Sequence, residues 1–392
     1  MTGENPLHRK PPPPIPLSVL TGFLGAGKTT LLNQLLKDPA LADTVVLINE
    51  FGEIGLDHLL VESVADDMIL LASGCLCCTI RGDLVTALED LLKRRDNGRM
   101  APFRRVIVET TGLADPAPVL HTIMYHPYLM LRYQLDGVIT VVDAINGLAT
   151  LDAHEEALRQ AAVADRLVIA KSDLAQSAGQ LADLAALRDA LATLNPGARL
   201  LDAALGEAQA ARLLDAGLYA PDRKTANVRA WLNAGAYGKP QPHHHHGDAH
   251  SHDHGKGQDP HDINRHDANI HAYCLTSDSA IAPEAFEMFL DVIGTMHGPR
   301  LLRLKGIVAL ADDLERPVVV HGVQHVFHPP VRLDAWPDSD RRTRIVFIVR
   351  DLPRSFVDGL WSALTGGIAP DRADMAAMRD NPLAPGMGGL LG

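Results

Sequence analysis

Residues Gly22-Phe23-Leu24-Gly25-Ala26-Gly27-Lys28-Thr29 limit the fold of this 392-residue chain more than any other segment. They match GxxxxGK[ST] in full, between the apolar run Ile15–Leu20 and a stretch of helical composition, Thr29–Leu36. A strand, a glycine-rich turn and a helix in that order form a phosphate cradle. The glycines, with Ala26, let backbone N–H groups turn inward, and the positive end of the helix adds to their field. Lys28 then neutralises the β and γ oxygens, Thr29 offers a hydroxyl to Mg²⁺, and Thr30 follows on the first helical turn.

Further apolar runs at Val45–Ile48, Met68–Leu71, Val106–Val108, Val138–Val142 and Leu167–Ala170 alternate with helical segments such as Asp83–Arg95 and His154–Ala164. This alternation predicts an α/β domain over residues 15–225, a P-loop NTPase fold with a mostly parallel sheet covered by helices. A proline-rich leader, residues 1–14, precedes it and reads as flexible. Lys239–Asp267 is rich in His, Asp, Gly and Pro and almost without large apolar side chains, so residues 226–269 read as a flexible, His-rich linker. Beyond them, a helical stretch at Ile281–Ile293 and strand-like runs at Leu301–Ala309, Val318–His321, His325–His328 and Thr343–Val349 predict a smaller α+β domain over 270–355. Pro353 closes the last strand, and 356–392 reads as a helical, frayed tail.

Lys plus Arg number 36 against 48 Asp plus Glu, a formal net charge of −12. This disfavours nucleic acid or an anionic membrane as the main partner. No apolar run is long enough for a signal peptide or a membrane span, and a cytoplasmic location is expected.

Several residues complete the expected site. Glu109, at the end of Val106–Val108, is placed to support Mg²⁺, and Gly112 to approach a γ-phosphate and move when it leaves. A solvated strand-end glutamate is the alternative. Asp57, in Asn49–Asp57, is a weaker candidate for orienting the attacking water or supporting Mg²⁺. Lys171-Ser172-Asp173 follows a strand, where the Asp173 carboxylate suits the paired donors of guanine; a solvated loop aspartate is the alternative. The usual guanine-reading motif begins with Asn, and this chain has Ala170 there.

Three of the four cysteines cluster in Gly74-Cys75-Leu76-Cys77-Cys78. Cys75 and Cys77 project to one side of an extended segment, so two thiolates can hold one soft ion, with Cys78 or a carboxylate completing a tetrahedron. Buried thiols are the plain alternative, and the lone Cys274 reads as a small core residue. Ten histidines occur between His243 and His271. His243, His244, His245, His246, His250, His252 and His254, interleaved with aspartates, offer weak exchangeable metal sites, unless the tract is merely a polar linker. His321, His325 and His328 lie among apolar residues and read as satisfied histidines rather than ligands.

In this order, GFLGAGKTT, NEFGEIGLD, GCLCC, ETTGLADP, KSD, the His-rich linker and LLRLKGIVAL resemble the CobW-like metallochaperone GTPases, relatives of the urease and hydrogenase nickel-insertion GTPases. The resemblance spans about Ile15 to Leu352. It implies a GTPase using GTP and Mg²⁺, with Zn²⁺ or Co²⁺ held by Cys75, Cys77 and Cys78, Glu50 as an additional ligand, and Glu109 as the acidic residue of the family's ExxG box. The partners implied are client metalloproteins, with a homodimer also open. Slow turnover is expected, since no arginine finger in cis is evident, Arg81 being the one alternative. Two other readings stand beside metal delivery in general: cobalt supply to cobalamin synthesis or nitrile hydratase, and a His-rich zinc store with weak nucleotide turnover.

Overall fold

The computed structural model describes residues 13–51, 68–73, 79–214, 232 and 270–365. The first sheet has seven strands: β1 (Ile15–Gly22), β2 (Thr44–Phe51), β3 (Met68–Ser73), β4 (Arg105–Glu109), β5 (Tyr133–Asp143), β6 (Arg166–Ala170) and β7 (Arg199–Asp202). Their order is β3-β2-β4-β1-β5-β6-β7, and every pairing is parallel. The helices of this domain are α1 (Lys28–Leu36), α2 (Thr79–Asp96), α3 (Ala117–Tyr125), α4 (Leu129–Arg132), α5 (Gly147–Ala153), α6 (Glu155–Ala162), α7 (Ala178–Leu194) and α8 (Ala210–Leu213).

Successive strand residues supply opposite layers. Val45, Leu47, Val106 and Val108 pack with Leu84, Leu88, Leu91 and Leu92 of α2 and with Leu120 and Ile123 of α3. Their neighbours Val46, Ile48 and Ile107 pack with Leu31, Leu32 and Leu35 of α1. Both faces are therefore apolar, which is why these strands read as unbroken hydrophobic runs.

The second sheet comprises β8 (Ile270–Ser277), β9 (Leu301–Leu310), β10 (Asp313–Val323), β11 (Val326–Arg332) and β12 (Thr343–Arg350). It is antiparallel, ordered β11-β10-β9-β12-β8. Helices α9 (Pro283–His297) and α10 (Arg354–Leu364) pack against it through Phe286, Phe289, Ile293, Val357 and Trp361. The first turns of the segment read as a tail are thus core. Strand β8 follows the His-rich stretch and was not expected; it buries Tyr273 and Leu275 alternately. Cys274 between them is partly buried, and burial pushes its thiol up to about 11.

The two sheets meet. Leu302 and Ile348 of the second join Ala161, Leu167 and Ile169 of the first in one apolar cluster. Beside it Asp165 is 3% exposed and accepts from Arg303 Nη2 at 2.8 and 3.0 Å and from Lys305 Nζ at 2.6 Å.

Candidate nucleotide site

Strand β1 lies at the middle of the parallel sheet and delivers the phosphate loop at its carboxyl end. Gly22 adopts φ 144°, and a Cβ there would lie 2.3 Å from the carbonyl oxygen of Val141. Gly25 and Gly27 have φ of 69° and 103°. Only glycine takes such angles cheaply, so the loop geometry follows from its sequence. Lys28 opens α1 and turns its ammonium back into the loop, donating to the carbonyls of Gly22 at 2.9 Å and Phe23 at 3.3 Å. Thr30 is exposed on the same turn.

Register across the sheet brings the acidic residue to the loop. Leu20 of β1 and Ile48 of β2 both pair with Glu109 at the end of β4. Glu109 is 5% exposed, and Thr29 Oγ1 donates to its Oε1 at 3.4 Å. A hydroxyl and a carboxylate turned to one point are hard oxygen donors of the kind Mg²⁺ prefers.

Past Glu109 the chain is tied to the loop's own strand. Thr110 N–H donates to Leu20 O at 2.9 Å, and Thr110 Oγ1 to Thr21 Oγ1 at 2.8 Å. Gly112 then lies so close to the phosphate loop that a Cβ would be 2.6 Å from Leu24 N. Glycine is needed here for close approach rather than for its φ.

Lys171 closes the other side of the loop. It sits at φ 63° after β6, and its Nζ donates to Gly25 O at 2.6 Å and Asp143 Oδ2 at 2.8 Å. Burial works against the Asp143 charge, but Lys171, the Ile145 N–H and Asn146 outweigh it and hold the carboxyl below the usual range. Asp143 was missed by sequence reasoning; its only signal was its place at the end of an apolar strand. Asp173 is exposed in a 3-10 turn, Ser172–Leu174, whose Ser172 Oγ donates to Asp202 at 2.5 Å. Ala170 is buried, and its carbonyl accepts from Ala144 N–H at 2.9 Å.

The structure therefore brings Lys28, Thr29, Glu109, Gly112 and Lys171 together around one loop. Asp57, Cys75, Cys77, Cys78 and the histidines 243–254 lie outside the described residues, as does the side chain of Glu50. The backbone of Glu50 pairs with Ala72 of β3, three positions before Cys75. Among the described residues, no group of three or more His, Cys, Asp or Glu side chains is placed to hold a metal. Nor is any described helix long and apolar enough to cross a membrane.

Residues 16–202 match the model of the CobW/HypB/UreG nucleotide-binding domain, and residues 270–365 that of the cobalamin synthesis protein CobW C-terminal domain. The zinc chaperone YjiA of Escherichia coli is 42% identical over 168 residues, 43% of this chain and 52% of that protein. The match thus spans about half the length of that relative. The zinc-regulated GTPase metalloprotein activator 1 of Schizosaccharomyces pombe is 28% identical over 362 residues, 87% of this chain and 84% of its own. Zn(II)-bound YjiA GTPase from E. coli superposes with a TM-score of 0.62 at 26% identity, covering 90% of this chain and 99% of that one. A Zn(II)-bound triple mutant of YjiA GTPase, with a glutamate and two cysteines replaced by alanine, gives a TM-score of 0.64 with the same identity and coverage.

Proposed function

Because the chain belongs to the CobW/HypB/UreG family and carries the CobW C-terminal domain, we propose that it is a GTP-hydrolysing metallochaperone whose cargo is Zn²⁺. The observation that carries this reading is the strand register at one edge of the parallel sheet. Leu20, Glu109 and Ile48 lie side by side at the carboxyl ends of β1, β4 and β2, and Glu50 pairs with Ala72 just before the cysteine segment. In open α/β sheets, ligands gather at this edge. The phosphate loop, the Gly112 segment and the cysteine segment all leave from it, so a change at one bears on the next.

In this reading Lys28 and the loop N–H groups bind the phosphates, while Lys171 braces the loop and Asp173 reads the base. Thr29 and Glu109 would hold Mg²⁺, which when bound neutralises charge developing on the phosphate oxygens. Cys75, Cys77 and Cys78, with Glu50, hold the zinc as thiolates and carboxylate. With GTP bound, Asn49–Asp57 and Glu109–Pro116 are ordered and the thiolates converge on the metal. Hydrolysis removes the γ-phosphate contacts, the metal site loosens, and the ion passes to a client metalloprotein. The names of the relatives favour zinc over cobalt as cargo, while thiolate and imidazole ligands suit both ions.

Anaerobic titration with Co²⁺ and Zn²⁺, with GDP or a non-hydrolysable GTP analogue, tests the coupling. Thiolate-to-cobalt absorption should report at least roughly tenfold tighter binding with the analogue, a coupling of about 1.4 kcal/mol. Equal affinity in both nucleotide states would remove the mechanism, since a ligand that does not distinguish two states shifts neither. Cys75→Ser with Cys77→Ser should abolish that absorption. Since the alanine triple mutant of YjiA GTPase is itself Zn(II)-bound, zinc sites must be counted rather than scored as present or absent.

A further inference from the structure

Gln160, on α6, is 1% exposed and belongs to none of the motifs of the nucleotide site. Its side-chain Nε2 donates to the carbonyls of Gly112 at 3.2 Å and Ala114 at 3.0 Å. The main-chain carbonyl of Gln160 accepts from Thr140 Oγ1 at 2.7 Å, which fixes the backbone of α6 here to β5. The Gly112 segment is thus held at two ends: Thr110 is tied to β1, and the carbonyls of Gly112 and Ala114 are tied to α6. Between these ties Gly112 rests against Leu24 of the phosphate loop. Asp115 continues the attachment to α6, accepting from Arg159 Nη1 at 3.0 Å.

We propose that Gln160 is a positioning residue for nucleoside triphosphate recognition, clamping the Gly112–Ala114 backbone so that the Gly112 N–H faces the γ-phosphate. The proposal rests on the GTPase reading above. Two carbonyls bound to one buried amide leave Gly112–Ala114 few backbone states, so this part of the cost of ordering Glu109–Pro116 when the triphosphate binds is met in advance, and the rest falls to the γ-phosphate. GDP does not reach Gly112 and draws nothing from the clamp. Loss of Gln160 should therefore separate triphosphate from diphosphate binding, which a general loss of packing would not do.

The test compares GDP and a non-hydrolysable GTP analogue in the full chain, with hydrolysis followed in parallel. Gln160→Met keeps size and loses both donors. It should weaken the analogue roughly tenfold, the scale of one or two lost hydrogen bonds, and lower kcat with it, while GDP affinity stays within about twofold, too small a change to count as a lost hydrogen bond. Gln160→Glu supplies a signature that packing alone does not produce. Ionised, it faces two carbonyls without a donor; protonated, it regains one. Because burial raises a carboxyl pKa, the preference for the analogue over GDP should recover in this variant as pH falls from about 8 to about 6, a trend absent from the wild type. Wild-type preference in both variants, or a parallel fall in GDP affinity, would overturn the role of Gln160. Failure of the wild-type protein to bind or hydrolyse GTP would instead overturn the underlying GTPase reading.

Discussion

Gly22 shows how a single residue sets the site. At φ 144°, with Val141 O 2.3 Å from an added Cβ, it has room for neither a side chain nor a different backbone path. Gly22→Ala should cost about 1–3 kcal/mol, seen as a lower urea midpoint, and should weaken GDP as well as GTP because the whole cradle shifts. Gly112→Ala should differ. Its φ needs no glycine, so no dihedral strain is added, while the 2.6 Å approach to Leu24 N forces the segment off the loop. Hydrolysis should fall at least roughly tenfold, with GDP affinity kept; parallel losses would show that the contact serves folding rather than the triphosphate. These residues were legible because their roles follow from consecutive positions in one motif. Asp143 and Gln160 were not, since each acts through a loop remote in sequence and gains its meaning only when strands and helices are packed.

Elements were legible where burial was periodic or continuous. Strands β1, β4, β5 and β6 are buried almost throughout and so stood out as apolar runs, whereas the first residues of β10 are exposed, Glu315 and Arg316 among them, and lengthen the strand beyond its apolar part. Helix α3 left no amphipathic signature: Val119, Leu120, His121, Thr122, Ile123 and Met124 are all buried in succession. A helix enclosed all round has no polar stripe to betray its period. Helix α7 is specified at its start, where Ser177 Oγ accepts from Gln180 N–H at 3.2 Å and Gln180 Oε1 accepts from Ser177 N–H at 3.1 Å. Ser177→Ala should cost about 1 kcal/mol in urea unfolding. The cost should be carried by the domain as a whole, because Leu187 and Leu191 make α7 part of the core.

At the scale of the whole molecule, the two sheets are joined by charges that are expensive to bury unless paired. Burial opposes the Asp165 charge, but Arg303, Lys305 and the Val138 N–H hold its carboxyl well below the usual carboxylate range. Asp165→Asn leaves two buried cations facing a neutral group and should cost about 3–5 kcal/mol. Calorimetry should then show the C-terminal domain melting ahead of the nucleotide domain, and a single transition shifted by less than 1 °C would refute the argument. His321 of β10 sits in register with Lys305 on β9 and His328 on β11, and it faces Arg303 as well. Burial, then the nearby cations, keep its imidazole neutral well below the ordinary histidine value, against the pull of Asp165. The unfolded chain takes up a proton at about pH 6.5 that native His321 refuses, so stability rises with pH up to that point and is lost as pH falls below it. Asp165 contributes in a separate window, its stabilisation present above about pH 4 and lost below. Between pH 5 and 6.5 the wild-type stability slope should therefore exceed that of His321→Gln by up to about 1.4 kcal/mol per pH unit. His297 and His328, also held below the ordinary value chiefly by burial, remain in both proteins and cancel in the comparison. Equal slopes would mean that the native interface accommodates the protonated ring, and that the ion cluster does not depend on a neutral His321.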